Sequence, residues 1–181
     1  MTVHAPAPDA PLTHTVLADT PVGPLTLVAL GDVLAGLYMT DQRHRPPLET
    51  FGTRADPGDE PFAAAIAQLR DYFRGERTTF DLPLALRGTP FQQRVWAALR
   101  TIPYGETVSY GRLAERLGAP AASRAVGLAN GRNPVGIIVP CHRVVGADGS
   151  LTGYGGGLDR KRRLLEFERT DHGLFPMEAC G

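Results

Sequence analysis

From Thr13 onward the apolar positions follow a strand-like pattern, in the runs Thr13–Leu17, Leu25–Leu30 and Val33–Met39. Pro-Val-Gly-Pro separates the first two runs, and Gly31-Asp32 separates the last two. The second gap is a two-residue hairpin signal, so the three runs predict strands of an antiparallel sheet. Residues 40–59 are polar with prolines and read as a loop. Pro61 to Phe73 then takes a helical period, with Phe62, Ile66, Leu69 and Phe73 on one face and Gly75 ending it. Phe80–Leu86 is a short extended stretch. Residues 13–86 therefore read as a compact α+β unit without a chemical motif, and scaffolding is its expected job. Residues 1–12, rich in Pro and Ala, read as a mobile leader, and 171–181 as a loose tail.

From residue 87 the period is helical. Thr89 as N-cap with Pro90 at the first helical position starts a helix through Phe91, Val95, Trp96 and Leu99. A second helix follows Tyr104–Tyr110, with Leu113, Ala114 and Leu117 inward and Gly118 as terminator. A third covers about 121–130. Two short helices joined by a tight turn resemble a helix-turn-helix, a weak signal because helical hairpins are common. The third helix carries small residues, with Arg124 read as its one long side chain. Such a face suits a narrow minor groove that a single arginine enters. Close packing through its alanines is an equally natural reading. A last helix begins near Asp159 and puts Leu164, Leu165 and Glu168 on one face, where a carboxylate needs a partner.

Length and charge refine this picture. The 181 residues allow one domain or two small ones. No apolar run approaches the ~20 residues that span a bilayer, and the N-terminus has neither the basic start nor the apolar core of an export signal. Cys141 and Cys180 are the only cysteines, which excludes a disulfide framework and a Cys-rich zinc site and suits a reducing cytoplasm. His4, His14 and His44 have no ligand partners in the pattern and read as surface residues. Net charge is zero, but residues 1–86 carry 6 basic and 11 acidic side chains while 87–170 carry 13 and 6. The C-terminal half thus suits a polyanion, or simply a solvated basic surface.

The chemistry concentrates in Ile137–Val145. Cys141 sits there among apolar β-formers, with His142 beside it and Arg143 next. A lone cysteine is more often core than reagent. Pro140 nevertheless interrupts strand pairing, and imidazole and positive charge near sulfur lower a thiol's pKa. Six glycines fall within Gly146–Gly157, a loop whose backbone can approach a ligand closely. It lacks the Gly-Lys-Ser/Thr ending of a phosphate loop.

Gly88-Thr-Pro-Phe-Gln92, Ile102–Tyr110, Arg124-Ala-Val-Gly127, Asn133-Pro134, Pro140-Cys-His-Arg-Val144 and Gly153–Leu158, in this order, resemble the methylated-DNA–protein-cysteine methyltransferases. The resemblance covers about 88–168 nearly without gaps, and the preceding half only in general layout. It implies an α+β fold: an N-terminal antiparallel sheet with a helix in a ribonuclease H-like layout over 13–86. A mostly helical, winged helix-turn-helix-like unit over 87–170 would carry the active-site loop. It implies repair of double-stranded DNA by alkyl transfer from O6 of guanine, and O4 of thymine, to Cys141, with one turnover and nucleotide flipping. It implies no cofactor, no metal, a monomer and no membrane. Residue by residue, Cys141 matches the acceptor, His142 and Glu168 its proton-withdrawing pair through a water, and Asn133 the hinge. Tyr110 matches the tyrosine that helps the leaving base, and Arg124 the one that fills the gap of the flipped nucleotide. Ala122, Ser123, Ala125 and Gly127 would meet DNA beside them. Val144, Tyr154, Gly155, Gly156, Gly136 and Lys161 would form the base pocket. Gly155 and Gly136 stand where some members have serine and proline, so a more open pocket that accepts larger alkyl groups is expected. The rival readings are a thiol hydrolase, an alkylation-sensing regulator and a non-catalytic lesion binder. Against these stand the adjacency of Cys141 and His142, the missing zinc module, and the presence of Cys141.

Overall fold

The computed structural model describes residues 9–169. His4, Cys180, the start of the leader and the 171–181 tail lie outside them. Strands β1 (Leu12–Leu17), β2 (Leu25–Leu30) and β3 (Val33–Met39) form where the alternation predicts. They pair antiparallel in sequence order, and Gly31 takes φ +59° in the β2–β3 hairpin, a conformation that suits glycine. The two-residue period sorts their side chains. Leu17, Leu25, Leu27 and Ala29 enter the main core with Phe62, Ala65, Ile66 and Leu69 of α1 (Phe62–Phe73). On the opposite face Val28 and Tyr38 are covered by Phe51, whose ring stacks on Tyr38 at 5.3 Å.

Three details differ from the sequence reading. The 40–59 segment contains a 3-10 turn at Leu48–Phe51 and a strand, β4 (Thr53–Arg54), parallel to β1, so the sheet order is β3-β2-β1-β4. A two-residue strand has no alternation to read. At the C-terminal end of α1 the fully buried aromatic is Tyr72, and Phe73 is only half-buried. The helical period leaves both near the edge of the stripe, and the tertiary partner of the Tyr72 hydroxyl decides between them. His14 is half-buried rather than on the surface, because its place in β1 turns it toward the face that Phe51 covers, 6.3 Å away.

In the second half, α2 (Pro90–Leu99) opens with a capping box: Thr89 accepts from the Gln92 amide, and the Gln92 side chain accepts from that of Thr89. Such a cap contributes about 1 kcal/mol. Strand β5 (Val108–Ser109) leads into α3 (Tyr110–Arg116), capped by Ser109. A 3-10 turn at Pro120–Ala122 precedes α4 (Ser123–Gly131). Trp96 Nε1 donates to Ala129 O at 2.9 Å and ties α2 to α4. Strand β6 (Val144–Val145) pairs parallel with β5, and α5 (Leu158–Arg169) closes the unit. No helix among the described residues is long and apolar enough to cross a membrane.

The two halves meet along β3. Within the first half, Leu84, in the stretch read as extended, bridges Leu34 of this strand. On the same strand Leu37 N donates to Pro134 O at 2.8 Å and Gly136 N to Leu37 O at 3.2 Å. These bonds occupy groups that an edge strand would otherwise leave open. They also fix where the chain emerges toward Cys141.

Candidate active site

Residues 133–140 make a sharp reversal. Ile137 takes φ +69°, a conformation costing about 1–3 kcal/mol for a β-branched residue. Bonds from Ile138 N to Gly136 O (2.8 Å) and Val139 N to Val135 O (3.0 Å) hold it there. Asn133 clamps both arms: its Oδ1 accepts from Val135 N at 3.0 Å and its Nδ2 donates to Val139 O at 2.7 Å. Ile137, Ile138 and Val139 are all buried, and Pro140 leads into a 3-10 turn, Cys141–Arg143. The tight turn sends three consecutive buried side chains in different directions.

Glu168, on α5, is where two of those directions converge. Its Oε1 accepts from His142 Nε2 at 2.8 Å, and Arg143 grips both carboxylate oxygens at 2.8 and 2.9 Å. The Tyr72 hydroxyl donates to Oε1 at 2.7 Å and Gly105 N to Oε2 at 3.2 Å. Gly105 has φ +77°, and a Cβ there would press on the Glu168 carbonyl at 3.0 Å, so glycine suits this approach. Burial alone would raise the carboxyl's pKa. Hydrogen bonds and charge from His142 and Arg143 outweigh it and hold Glu168 well below the usual carboxylate range.

An ionised Glu168 can only accept, so Nε2 of His142 carries the proton and Nδ1 keeps its lone pair. Nδ1 is buried without a protein partner among the described residues. Burial lowers the imidazole below its ordinary value, against the pull of Glu168. The Cys141 thiol is pushed up by burial, and the Asn133 amide and Lys161 offset this only in part. The thiol is therefore neutral at rest. The expectation that Arg143 would activate it fails, because its guanidinium is committed to Glu168 and to Ile102 O at 2.6 Å. Alkylation of Cys141 by iodoacetamide should accordingly be slow at pH 7 and still be accelerating above pH 9. A plateau near neutrality, followed by mass spectrometry of the Cys141 peptide, would mean a preformed thiolate.

A cleft of about 780 Å³ opens between α4 and the glycine-rich loop. Ser123, Arg124, Gly127 and Leu128 of α4 form one side, and Tyr110, Tyr154 and Gly155 another. The single Tyr110 hydroxyl proton is shared between Thr152 O (3.1 Å) and Gly153 O (3.2 Å), which holds the glycine-rich loop over α3. Both tyrosines have raised pKa values, first through burial and then through the charge Cys141 would carry. Both rings are thus close enough to Cys141 to feel its charge.

Two family models match nearly the whole described chain: the ribonuclease-like domain of 6-O-methylguanine DNA methyltransferase over residues 14–86, and its DNA binding domain over 90–170. A methylated-DNA–protein-cysteine methyltransferase of Mycobacterium tuberculosis is 60% identical over 157 residues, which cover 87% of this chain and 93% of the relative. One from Methanosarcina acetivorans is 49% identical over 86% of this chain and 97% of its own length. The crystal structure of M. tuberculosis OGT in complex with DNA superposes with a TM-score of 0.82 at 56% identity, covering 89% of this chain and 95% of that one. The chain belongs to the 6-O-methylguanine DNA methyltransferase family.

Within this methyltransferase framework the residues named from sequence divide into three groups. Cys141 and His142 of the buried turn come together with Glu168 from α5 and with Asn133 from the reversal before it. Tyr110, Ser123, Arg124, Gly127, Tyr154 and Gly155 line the cleft. The others stand elsewhere. Ala122 belongs to the 3-10 turn and Ala125 is exposed outside the cleft wall. Val144 is fully buried in β6 and its carbonyl is taken by Lys161 at 2.6 Å. Lys161 is itself fully buried, bonds Thr152 O at 2.7 Å, and is pushed down to about 8 by burial; it braces the loop from behind. Gly156 is buried where a Cβ would collide with Met39 and Tyr154. Gly136 rests on β3, where a Cβ would meet Leu37 O at 3.6 Å. A Cβ on Gly155 would face the carbonyls of Arg43 and Gly131 at 3.4 and 3.5 Å. A Cβ at either position would make only ordinary contacts with backbone, and of the two only Gly155 lines the cleft, so the expectation of a wider pocket rests on Gly155.

Sequence reasoning missed four residues here. The sequence suggests Arg143 only as charge for the thiol, and Gly105 only as part of the stretch before the second helix. Tyr72 was passed over although a hydroxyl inside an apolar stripe signals a buried partner. Leu128 was overlooked among the small residues of α4; it is 66% exposed, one turn beyond Arg124 on the cleft side. His44, read as a surface histidine, is exposed but also lines the cleft.

Proposed function

We propose that this chain repairs DNA by moving a methyl or other alkyl group from O6 of guanine, or O4 of thymine, to Sγ of Cys141, once per molecule. The observation that carries this reading is a buried thiol next in the chain to an imidazole whose Nε2 is anchored on an ionised carboxylate, in a chain that also holds a cleft lined by Tyr110, Arg124 and Tyr154. An O6-alkyl group inside the base stack is out of reach, so the nucleotide must leave the duplex. α4 lies along the minor groove, Arg124 occupies the vacated position, and the extruded base enters between Tyr110 and Tyr154.

His142 Nδ1 then receives the thiol proton through a water, and Glu168 stabilises the resulting imidazolium. Sulfur attacks the alkyl carbon, the S–C bond forms and the C–O6 bond breaks. The departing guanine takes a proton with help from Tyr110. A thioether does not hydrolyse, so the protein is spent. A free-thiol reagent fits a reducing compartment, and we place the protein in the cytoplasm as a monomer.

The direct test is intact-protein mass spectrometry after incubation with a duplex carrying O6-methylguanine. One added methyl group per chain is expected, and an unmodified protein that still holds the duplex would replace this reading with lesion binding. The two long side chains of α4 should separate by assay. Arg124→Ala is expected to slow transfer at least tenfold, because extrusion loses its plug. Leu128→Ala should weaken duplex affinity severalfold without changing the slope of affinity against salt, as loss of an apolar groove contact does.

A further inference from the structure

We propose that Tyr72, from the N-terminal unit, is a positioning residue for alkyl transfer, so that this unit completes the proton relay. The inference rests on the relay proposed above. Tyr72 is fully buried on α1, 96 positions from Glu168 in sequence, and its hydroxyl donates to Oε1 at 2.7 Å. That is the oxygen on which His142 Nε2 rests. Phenylalanine would fill the same space, since the ring packs against Phe73, Phe80, Tyr104 and Phe167 at centroid distances of 5.2–6.0 Å. What only tyrosine adds is the bond to the relay carboxylate.

That bond has two consequences. It helps fix the rotation of the carboxylate, and hence the direction in which His142 Nδ1 points. It also draws charge from Oε1, which moderates how strongly Glu168 holds the imidazolium. The titratable and charged groups around this pair are Cys141 and Arg143 from the reactive turn, Lys161 from α5, Tyr154 from the glycine-rich loop, Tyr104 from the segment before β5, and Tyr72 from α1. Tyr72 is the one that enters from the first half of the chain. Its own hydroxyl is kept protonated by burial and by the adjacent Glu168, so it acts as a constant donor.

The test is single-turnover transfer from an O6-methylguanine duplex by the full chain across pH 5–9, for wild type, Tyr72→Phe and Glu168→Gln, with duplex affinity and thermal midpoint measured alongside. Tyr72→Phe should bind the duplex normally and transfer about tenfold more slowly on the plateau, as loss of a hydrogen bond to a charged group predicts. Its acidic limb should move to higher pH, because a less moderated Glu168 raises the basicity of His142. A fluorinated tyrosine at position 72 alone keeps the shape and strengthens the donor, and should move that limb to lower pH. This second variant also decides the matter if Tyr72→Phe folds poorly. A purely structural role would change the midpoint and leave the limb in place. Wild-type rates and profiles in both Tyr72 variants, with Glu168→Gln slow, overturn the positioning role and keep the relay. Wild-type behaviour in Glu168→Gln as well overturns the relay and this inference with it.

Discussion

Cys141→Ala is expected to bind a duplex containing O6-methylguanine and to transfer nothing. The thiol is 7% exposed, and its removal deletes one sulfur from a pocket whose framework lies elsewhere. The reversal at 133–140 is held by Asn133 and backbone bonds, and the turn after it by Glu168. The fold should therefore survive with a stability loss of about 1 kcal/mol. Lesion-duplex affinity should match the wild type within severalfold, while mass spectrometry finds no added alkyl group at any time. A methylated Cys141→Ala chain would place the acceptor on another residue.

Glu168→Gln should be nearly as severe for transfer and far more severe for stability. The carboxylate is buried against Arg143, His142, Tyr72 and Gly105, all donors. An amide can satisfy only part of that set, and it turns an NH2 group toward another donor. Arg143, 6% exposed, would lose its counter-charge, a change worth about 3–5 kcal/mol. For a domain of this size that lowers the melting midpoint by on the order of 10 °C. Transfer should slow at least about a hundredfold, the usual contribution of a positioned base. The pH dependence of stability provides a separate check. Glu168 has a folded pKa below its ordinary value of 4.5, so its contribution is complete above that value and fades as pH falls below it. Wild type should lose this stability in acid, and Glu168→Gln should lack that portion of the loss. Equal acid sensitivity of the two proteins would contradict the charged, paired state.

Much of the architecture was legible because it follows from short-range physics. The strand alternation of β1–β3, the Gly31 hairpin and the Thr89–Pro90 start of α2 each depend on neighbours a few residues away. The Glu168 stripe on α5 was legible for the same reason, and it correctly announced a buried carboxylate in need of a partner. β4 was not legible, since two residues carry no period. Leu128 went unread because one leucine among alanines and glycines says nothing about which way it faces until α4 is docked.

The chemistry divides along the same line. Pro140-Cys-His-Arg marked a thiol with an imidazole beside it, and by itself the sequence determined that residues 88–168 carry the methyltransferase pattern. It could not determine the thiol's protonation state. Arg143 stands two residues from Cys141 in the chain but delivers its charge to Glu168, and burial raises the thiol that proximity in sequence had seemed to lower. Nor could it join Tyr72 to Glu168 across 96 positions. Desolvation and long-range hydrogen bonds exist only after the two halves pack along β3 and close over the turn. Residue types and their local order therefore came from the sequence, whereas pKa directions, the donors around Glu168 and the N-terminal unit's part in the site were decided by tertiary structure.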